Sequence, residues 1–509
     1  MTRLKKYLAS GVLMTCVSLA LRGLSVAFNA YISRAIGAEA LGLYTLLGSV
    51  YGFALTLALS GINLTTTRLV SDALGENDLQ KVRASMTRCI GYSLFFGSLA
   101  CALLLLLADP IATHILKDIR IIKPLRLAGA TLPLISVTAC LNGYFTAVRK
   151  VYKNAAVQIG EQLARIFICA SLLGLAMGRD IESSCTALVL GGALSEMLSF
   201  TLSVIFYVFE KQGKKNTSKS DRNASGVTKK MLSIALPLAL STYFRSALLT
   251  LEHILIPMGI EKSGENRANA LAAYGTLQSM VMPLVLFPAA LTQSFSSLLV
   301  PELARLKIQE NMREIRYIAG RVCHFALLFG VGASGVMIFF ADELGMGIYG
   351  SAEAGGYIRL VAHIVPIMYL DTTVDNMLKG LGEQLYTMNI NILDTLCSLV
   401  MVWILIPRFG GYGYIILIMV SEIFNASASI YKLVKVTGMR FSALRWFVLP
   451  AGAVIISTQT ANMLCKMFKI STLGAILGSI GIYFVLLRAI GSLNREECAW
   501  IKGFFKKST

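Results

Sequence analysis

Eleven ionisable side chains lie inside long apolar runs of this chain: Arg22, Arg68, Arg165, Arg245, Glu161, Glu196, Glu252, Asp371, Asp375, Asp394 and Glu422. At the centre of a membrane helix each would cost roughly 2.5–3.5 kcal/mol. Together they would cost about 30 kcal/mol, more than the stability of a typical fold. They must therefore face water or one another. Arg22 and Asn29 are seven residues apart, as are Arg245 and Glu252, so each pair occupies one helix face two turns long. Both pairs read as cavity-lining groups, with structural pairing as the alternative. Asp371 and Asp375 share a face, and neighbouring carboxylates resist joint ionisation. That pattern suits a proton or cation site, and solvation at the membrane surface accounts for it equally. Asp394, Glu161 and Glu252 join them as ion-coupling candidates. Glu161 and Arg165, four apart, also form a local helix pair that requires no function. Arg68 joins the candidate cavity residues, although at the end of its span it can snorkel to the surface. Glu196 and Glu422 read as lone structural acids, and His253 has no metal-ligand spacing around it.

The elements that hold these groups follow from composition. Of 509 residues, 55% are hydrophobic and 15% charged, against about 25% charged in soluble domains. Apolar runs of about 20 residues recur along nearly the whole chain, so it reads as an all-α polytopic membrane protein with about fourteen transmembrane helices. The first run, from about Leu8 to Ile36, is too long for a signal peptide and reads as an uncleaved span. The predicted order is an N-terminal six-helix lobe over 1–209, a basic cytoplasmic linker over 210–230 and a C-terminal six-helix lobe over 231–435. Two further helices over 446–490 and a cytoplasmic tail over 491–509 complete it. About 31 of the lysines and arginines fall on one side of these spans and about 12 on the other, which puts both termini in the cytoplasm of a plasma membrane. The net charge of +19 is dispersed among apolar runs, which does not fit a nucleic-acid face. Ten cysteines without a Cys-x-x-Cys pair read as packing residues, with no metal or disulfide framework. No Gly-x-x-x-x-Gly-Lys-Ser/Thr loop, Gly-x-Ser-x-Gly elbow or His-Glu-x-x-His motif is present, so the chain is not expected to be an enzyme or to use bound ATP.

The two lobes repeat. A shift of 233 aligns Pro133 with Pro366, Asn142 with Asp375, Gln158 with Asn391 and Glu161 with Asp394. A shift of 230 aligns Tyr44 with Tyr274 and Val70-Ser-Asp72 with Val300-Pro-Glu302. Six spans separate the partners, an even number, so the repeat is parallel, with a pseudo-two-fold axis along the membrane normal.

Several strings carry a family likeness: LNGYFTAVRKVYKNAAVQIGEQLARIF (141–167), LPLALSTYFRSALLTLEHILIP (236–257), VDNMLKGLGEQLYTMNINILDTL (374–396) and IPRFGGYGYII (406–416). They resemble stage V sporulation protein B-like proteins of the multidrug/oligosaccharidyl-lipid/polysaccharide exporter superfamily, whose MurJ-type relatives flip lipid II. The resemblance implies two six-span lobes around a central cavity and a flippase moving a polyprenyl-pyrophosphate-linked saccharide outward by alternating access. It implies a role in cell-wall, spore-cortex or polysaccharide synthesis in a bacterial plasma membrane. Arg22 matches the first-span arginine of these relatives; the second arginine that MurJ-type proteins carry six residues later is Phe28 here. Arg22 and Arg245 would grip the pyrophosphate through bidentate contacts. The expected partners are the polyprenyl-linked glycan lipid, the bilayer and a monovalent cation, with the protein a monomer. No cofactor is expected, the energy coming from the membrane potential or a proton or sodium gradient. A cation-coupled multidrug exporter, and a scaffold without transport activity, are the alternatives.

Overall fold

A computed structural model of the protein describes residues 2–176, 180–212, 224–442, 444–468 and 471–493. Most of the predicted linker (213–223) and tail (494–509) lie outside the described residues. All regular structure among the described residues is helical. In chain order the α-helices are α1 (Thr2–Leu59), α2 (Ile62–Gly75), α3 (Leu79–Pro110), α4 (Ile122–Gly129), α5 (Leu132–Ala147), α6 (Val151–Ala176), α7 (Ile181–Gln212) and α8 (Ala224–Lys262). There follow α9 (Arg267–Gly275), α10 (Met282–Leu286), α11 (Ala289–Ile308), α12 (Met312–Phe339), α13 (Ala341–Leu344), α14 (Ala352–Val361), α15 (Val365–Gly380), α16 (Gln384–Thr437), α17 (Leu449–Phe468) and α18 (Thr472–Ala489).

Among the described residues nine helices are long and apolar enough to cross a membrane, or up to eleven if two bent pairs each count as one span. The fourteen expected from hydropathy are not separated one by one, because some neighbours are continuous helices. Predicted spans one and two form α1, broken only at Gly37 (φ 79°), and spans eleven and twelve form α16, broken at Gly410 (φ 57°). Only glycine enters such left-handed backbone without strain. Large apolar side chains point outward, among them Leu106, Phe167 and Leu175, each at least 74% exposed. That is the surface of a protein whose solvent is lipid, and the chain is a multi-pass membrane protein.

The helices pack as two compact units. The first is continuous, Ala35–Pro257, with a core that includes Ile62, Met86, Leu141, Phe145 and Ala235. The second joins Met1–Arg34 to Met258–Thr509, with a core that includes Leu299, Val322, Val374, Met377 and Leu433. These packing units do not follow the linear order predicted from the lobes. Residues up to Arg34 pack with the later helices, and residues up to Pro257 with the earlier ones. In the second unit α17 and α18 pack on α12, where the Tyr483 hydroxyl donates to the Leu328 carbonyl at 2.8 Å.

The repeat extends down to the backbone. The run from α3 to α5 recurs from α12 to α15: Leu79 and Met312 start it, Leu132 and Val365 start its last helix, and Ala147 and Gly380 end it, all related by the shift of 233. The N-caps keep the same spacing: Asp78 and Asn311 accept backbone N–H groups at the head of α3 and α12, and Asp118 and Ser351 do so before the next turn. Left-handed residues recur in register as Asn77 and Glu310, Lys117 and Gly350, Arg149 and Gly382. So does an ion pair, Arg126 to Asp109 at 2.7 Å and Arg359 to Asp342 at 2.5 Å.

Two glycines hold equivalent helix pairs together. A Cβ on Gly97 would lie 2.8 Å from the Pro133 Cα, and one on Gly330 would lie 2.9 Å from the Pro366 Cα. Neither proline backbone can yield as a side chain would, so α3–α5 and α12–α15 depend on the missing methyl. Gly97→Ala and Gly330→Ala should each destabilise the protein by about 1–3 kcal/mol. Gly91→Ala, with open space around its Cβ, should not. Thermal unfolding in detergent reads the difference, and equal midpoints for Gly91→Ala and Gly330→Ala would contradict the close-approach argument.

Candidate functional site

In the second unit, α15 and the two halves of α16 gather the acidic residues. Asp371 and Asp375 lie one turn apart on α15. In α16, Ser421 donates to both oxygens of Asp394 at 2.7 and 2.9 Å, Asn425 to Asn391 at 3.0 Å, and Tyr386 to the Ala428 carbonyl at 3.2 Å. Each step forward in the first half is matched by a step back in the second, so the halves run antiparallel across the Gly410 reversal. Ser421, Asn425 and Ser429 share one face by their four-residue spacing, and that face meets α15. There Asn425 donates to Asp371 Oδ2 at 3.4 Å, and Ser429 to Asp375 Oδ1 at 3.2 Å. Asp371 is 5% exposed, and its Oδ1 and the Asn425 Oδ1 are buried without a hydrogen-bond partner.

The strongest charges acting on Asp371 are the carboxylates Glu422, Asp375 and Asp394. Glu422 is thus a member of this cluster and not a lone acid; it comes from the returning half of α16, which the spacing of nearby residues does not reveal. The cluster offers carboxylate, amide and hydroxyl oxygens, the donors that suit a hard cation. Among the described residues no group of three His, Cys, Asp or Glu side chains is arranged to hold a metal ion.

The first unit has its own polar cluster, where α6 and α7 pack. Arg165 Nη2 donates to Glu161 Oε1 at 3.0 Å and to Glu196 Oε1 at 2.8 Å, and its Nε donates to Ser195 Oγ at 3.3 Å. The local Glu161–Arg165 pair is present, and Glu196, read from the sequence as alone, completes it from the neighbouring helix. The three side chains are 19–33% exposed.

The candidate cavity residues divide between the units. Arg22 and Asn29 belong to the second, where the exposed Arg22 donates from Nη2 to Gln293 Oε1 at 2.8 Å. Gln293 had not been singled out in the sequence; it matches Asn63 under the shift of 230, which relates α2 to α11. Arg68, Arg245 and Glu252 belong to the first unit, the two arginines exposed and Glu252 half-buried. Helix α8 is keyed to α1 by Tyr243, whose hydroxyl donates to the Leu57 carbonyl at 3.3 Å, Ser246, which bonds to Thr56 at 3.1 Å, and Thr250, which donates to the Ser49 carbonyl at 3.2 Å. At about 100° per residue, Arg245 and Glu252 fall on the opposite face of α8 from those three. The face that α1 holds is not the one they occupy.

A family model described as polysaccharide biosynthesis protein matches residues 8–307, more than half of the chain. The chain belongs to the polysaccharide biosynthesis protein family. A second model, MatE, matches residues 263–404. Among curated proteins the chain is similar to stage V sporulation protein B of Bacillus subtilis (strain 168), 23% identical over 502 residues that cover 96% of each chain. Among solved structures it resembles the lipid II flippase MurJ in an inward closed conformation, with TM-score 0.71 and 12% identity over 94% of this chain and 99% of that one. It also resembles an inward-facing multidrug resistance MATE family transporter, with TM-score 0.65 and 13% identity over 83% and 96%. These findings agree on the multidrug/oligosaccharidyl-lipid/polysaccharide superfamily. The solved structures show a helical fold shared with membrane transporters.

Because the strongest charges acting on Asp371 are negative, removing one should relieve the cluster. In sodium-free choline chloride, Asp371→Asn should raise the thermal unfolding midpoint. Asn425→Ala, which removes the shared donor, should lower stability by about 1–3 kcal/mol. A lower midpoint for Asp371→Asn would show that the carboxylate has a positive partner.

Proposed function

We propose that this membrane protein is a flippase that carries a polyprenyl-pyrophosphate-linked saccharide, resembling lipid II, from the inner to the outer leaflet by alternating access. The observation that carries the reading is Arg22. Its guanidinium lies on a membrane-spanning helix, uncovered by protein, and its hydrogen bond goes to a neutral amide. A fixed cation without a carboxylate on it, at a depth where lipid contact is costly, is suited to an anionic ligand. Arg245, uncovered on its own span in the other unit, is a second guanidinium fork of the kind that matches pyrophosphate oxygens. Asn29, Glu252 and Arg68 are the other side chains assigned to headgroup contact, each within its own unit. The family match and the likeness to a lipid II flippase support this substrate class.

No phosphate-binding loop is present to harvest ATP, so the membrane supplies the energy. With the cytoplasm negative, each negative charge carried outward gains roughly 2.3 kcal/mol per 100 mV. A monovalent cation taken up beside Asp371 resets the carrier, held by the two buried oxygens that lack partners, Asp371 Oδ1 and Asn425 Oδ1, with Asp375 and Asp394 adding negative charge nearby. Glu161 drops out of this role, because Arg165 already neutralises it.

In vesicles holding the purified protein and a fluorescent polyprenyl-pyrophosphoryl sugar, an inside-negative potential should drive the probe outward. Arg22→Gln and Arg245→Gln should each slow it at least about tenfold, the loss of one charge-assisted contact. No movement above empty vesicles at any potential would overturn the reading. Resistance to cationic dyes in expressing cells would favour a multidrug exporter instead.

Both termini are assigned to the cytoplasm from the excess of lysine and arginine on that side. A C-terminal fluorescent protein should therefore glow, and a C-terminal alkaline phosphatase should be inactive; the reverse pattern would invert the topology.

A further inference from the structure

The α6–α7 cluster of the first unit and the α16 cluster of the second occupy the same place in the repeat. The shift of 233 carries Glu161 and Arg165 onto Asp394 and Ser398. A shift of 226 carries Ser195 and Glu196 onto Ser421 and Glu422, the connection between the paired helices being shorter by seven in the second unit. The contacts confirm the match. Arg165 Nε bonds to Ser195 Oγ at 3.3 Å, and Ser398 Oγ bonds to Ser421 Oγ at 3.4 Å. One position therefore holds arginine in one unit and buried serine in the other.

The charges differ accordingly. The first unit has two carboxylates on one guanidinium, and Thr138 and Asn142 stand where the second unit has Asp371 and Asp375. The second unit has three carboxylates acting on Asp371, a serine in the arginine's place and an unpartnered oxygen on Asp371, which is only 5% exposed. From this substitution we propose that Arg165 is a tethered cation, filling in the first unit the place that a free monovalent cation takes in the second. The inference rests on the reading of the Asp371 cluster as a cation site. It adds that the first unit has lost ion exchange to a covalently attached charge, which leaves one exchangeable cation per chain.

The test uses the full-length protein in detergent, with thermal unfolding followed in sodium chloride and in choline chloride at equal ionic strength. Wild type should show one saturable stabilisation by sodium, which Asp371→Asn removes. In that Asp371→Asn background, Arg165→Ser should restore a saturable sodium response, Arg165→Lys should not, and adding Glu161→Gln with Glu196→Gln to Arg165→Ser should abolish it again. No sodium response from Arg165→Ser overturns the proposal, even where wild type responds. A response from Arg165→Ser while wild type has none leaves the tethered cation standing and removes the reading of the Asp371 cluster. If Arg165→Ser cannot be isolated in choline, recovery of monodisperse protein in sodium alone supports the proposal, and loss in both salts refutes it.

Discussion

A charge carried into hydrocarbon needs an opposite charge, a hydrogen-bond partner or water within reach, and the polar groups of this protein answer that demand in three ways. Arg165 is matched by two carboxylates. Asp394 and Asp375 are matched by neutral hydroxyls, and Asp371 in part by an amide. Arg22 is matched by a neutral amide alone. The completeness of the match falls along that series, and the capacity to accept something from outside rises with it. A saturated ion network tends to fix structure; a half-satisfied one costs free energy that a ligand recovers on arrival.

The two units show how one backbone can hold opposite electrostatics. Caps, left-handed turns, the Asp–Arg pair and the glycine-on-proline contact all recur at one spacing. These features depend on backbone geometry, where a change of residue must keep a cap acceptor or a strained torsion. The side chains between α6 and α7, and between the halves of α16, are free of that demand. They form a carboxylate–guanidinium triad in one unit and an anionic group in the other, with no change in the order of helices.

Most of the fold could be read from the chain, because lipid exposure forces long apolar runs and both halves repeat their prolines and polar residues. Local pairs such as Glu161–Arg165 and Asp371–Asp375 followed from helical spacing. What could not be read lies between helices. Glu196 and Glu422 looked solitary because their partners come from antiparallel neighbours, whose register is set by turn geometry at residues such as Gly410. The exchange of the Met1–Arg34 segment into the later unit likewise depends on packing among distant segments, for which the repeat has no local signal. Gln293 was invisible for the same reason, far along the chain from the arginine it meets.

That separation also sets an order of events during biosynthesis. Translation at about 5–20 residues per second puts tens of seconds between the emergence of Arg22 and that of Gln293. Throughout that interval the leading helix carries a bare guanidinium while its permanent neighbours do not yet exist. A nascent chain in this position needs a polar chaperoning environment, at the insertion machinery or the headgroup layer, until the later helices arrive. The segment that ends at Arg34 is made well before the helices it packs with.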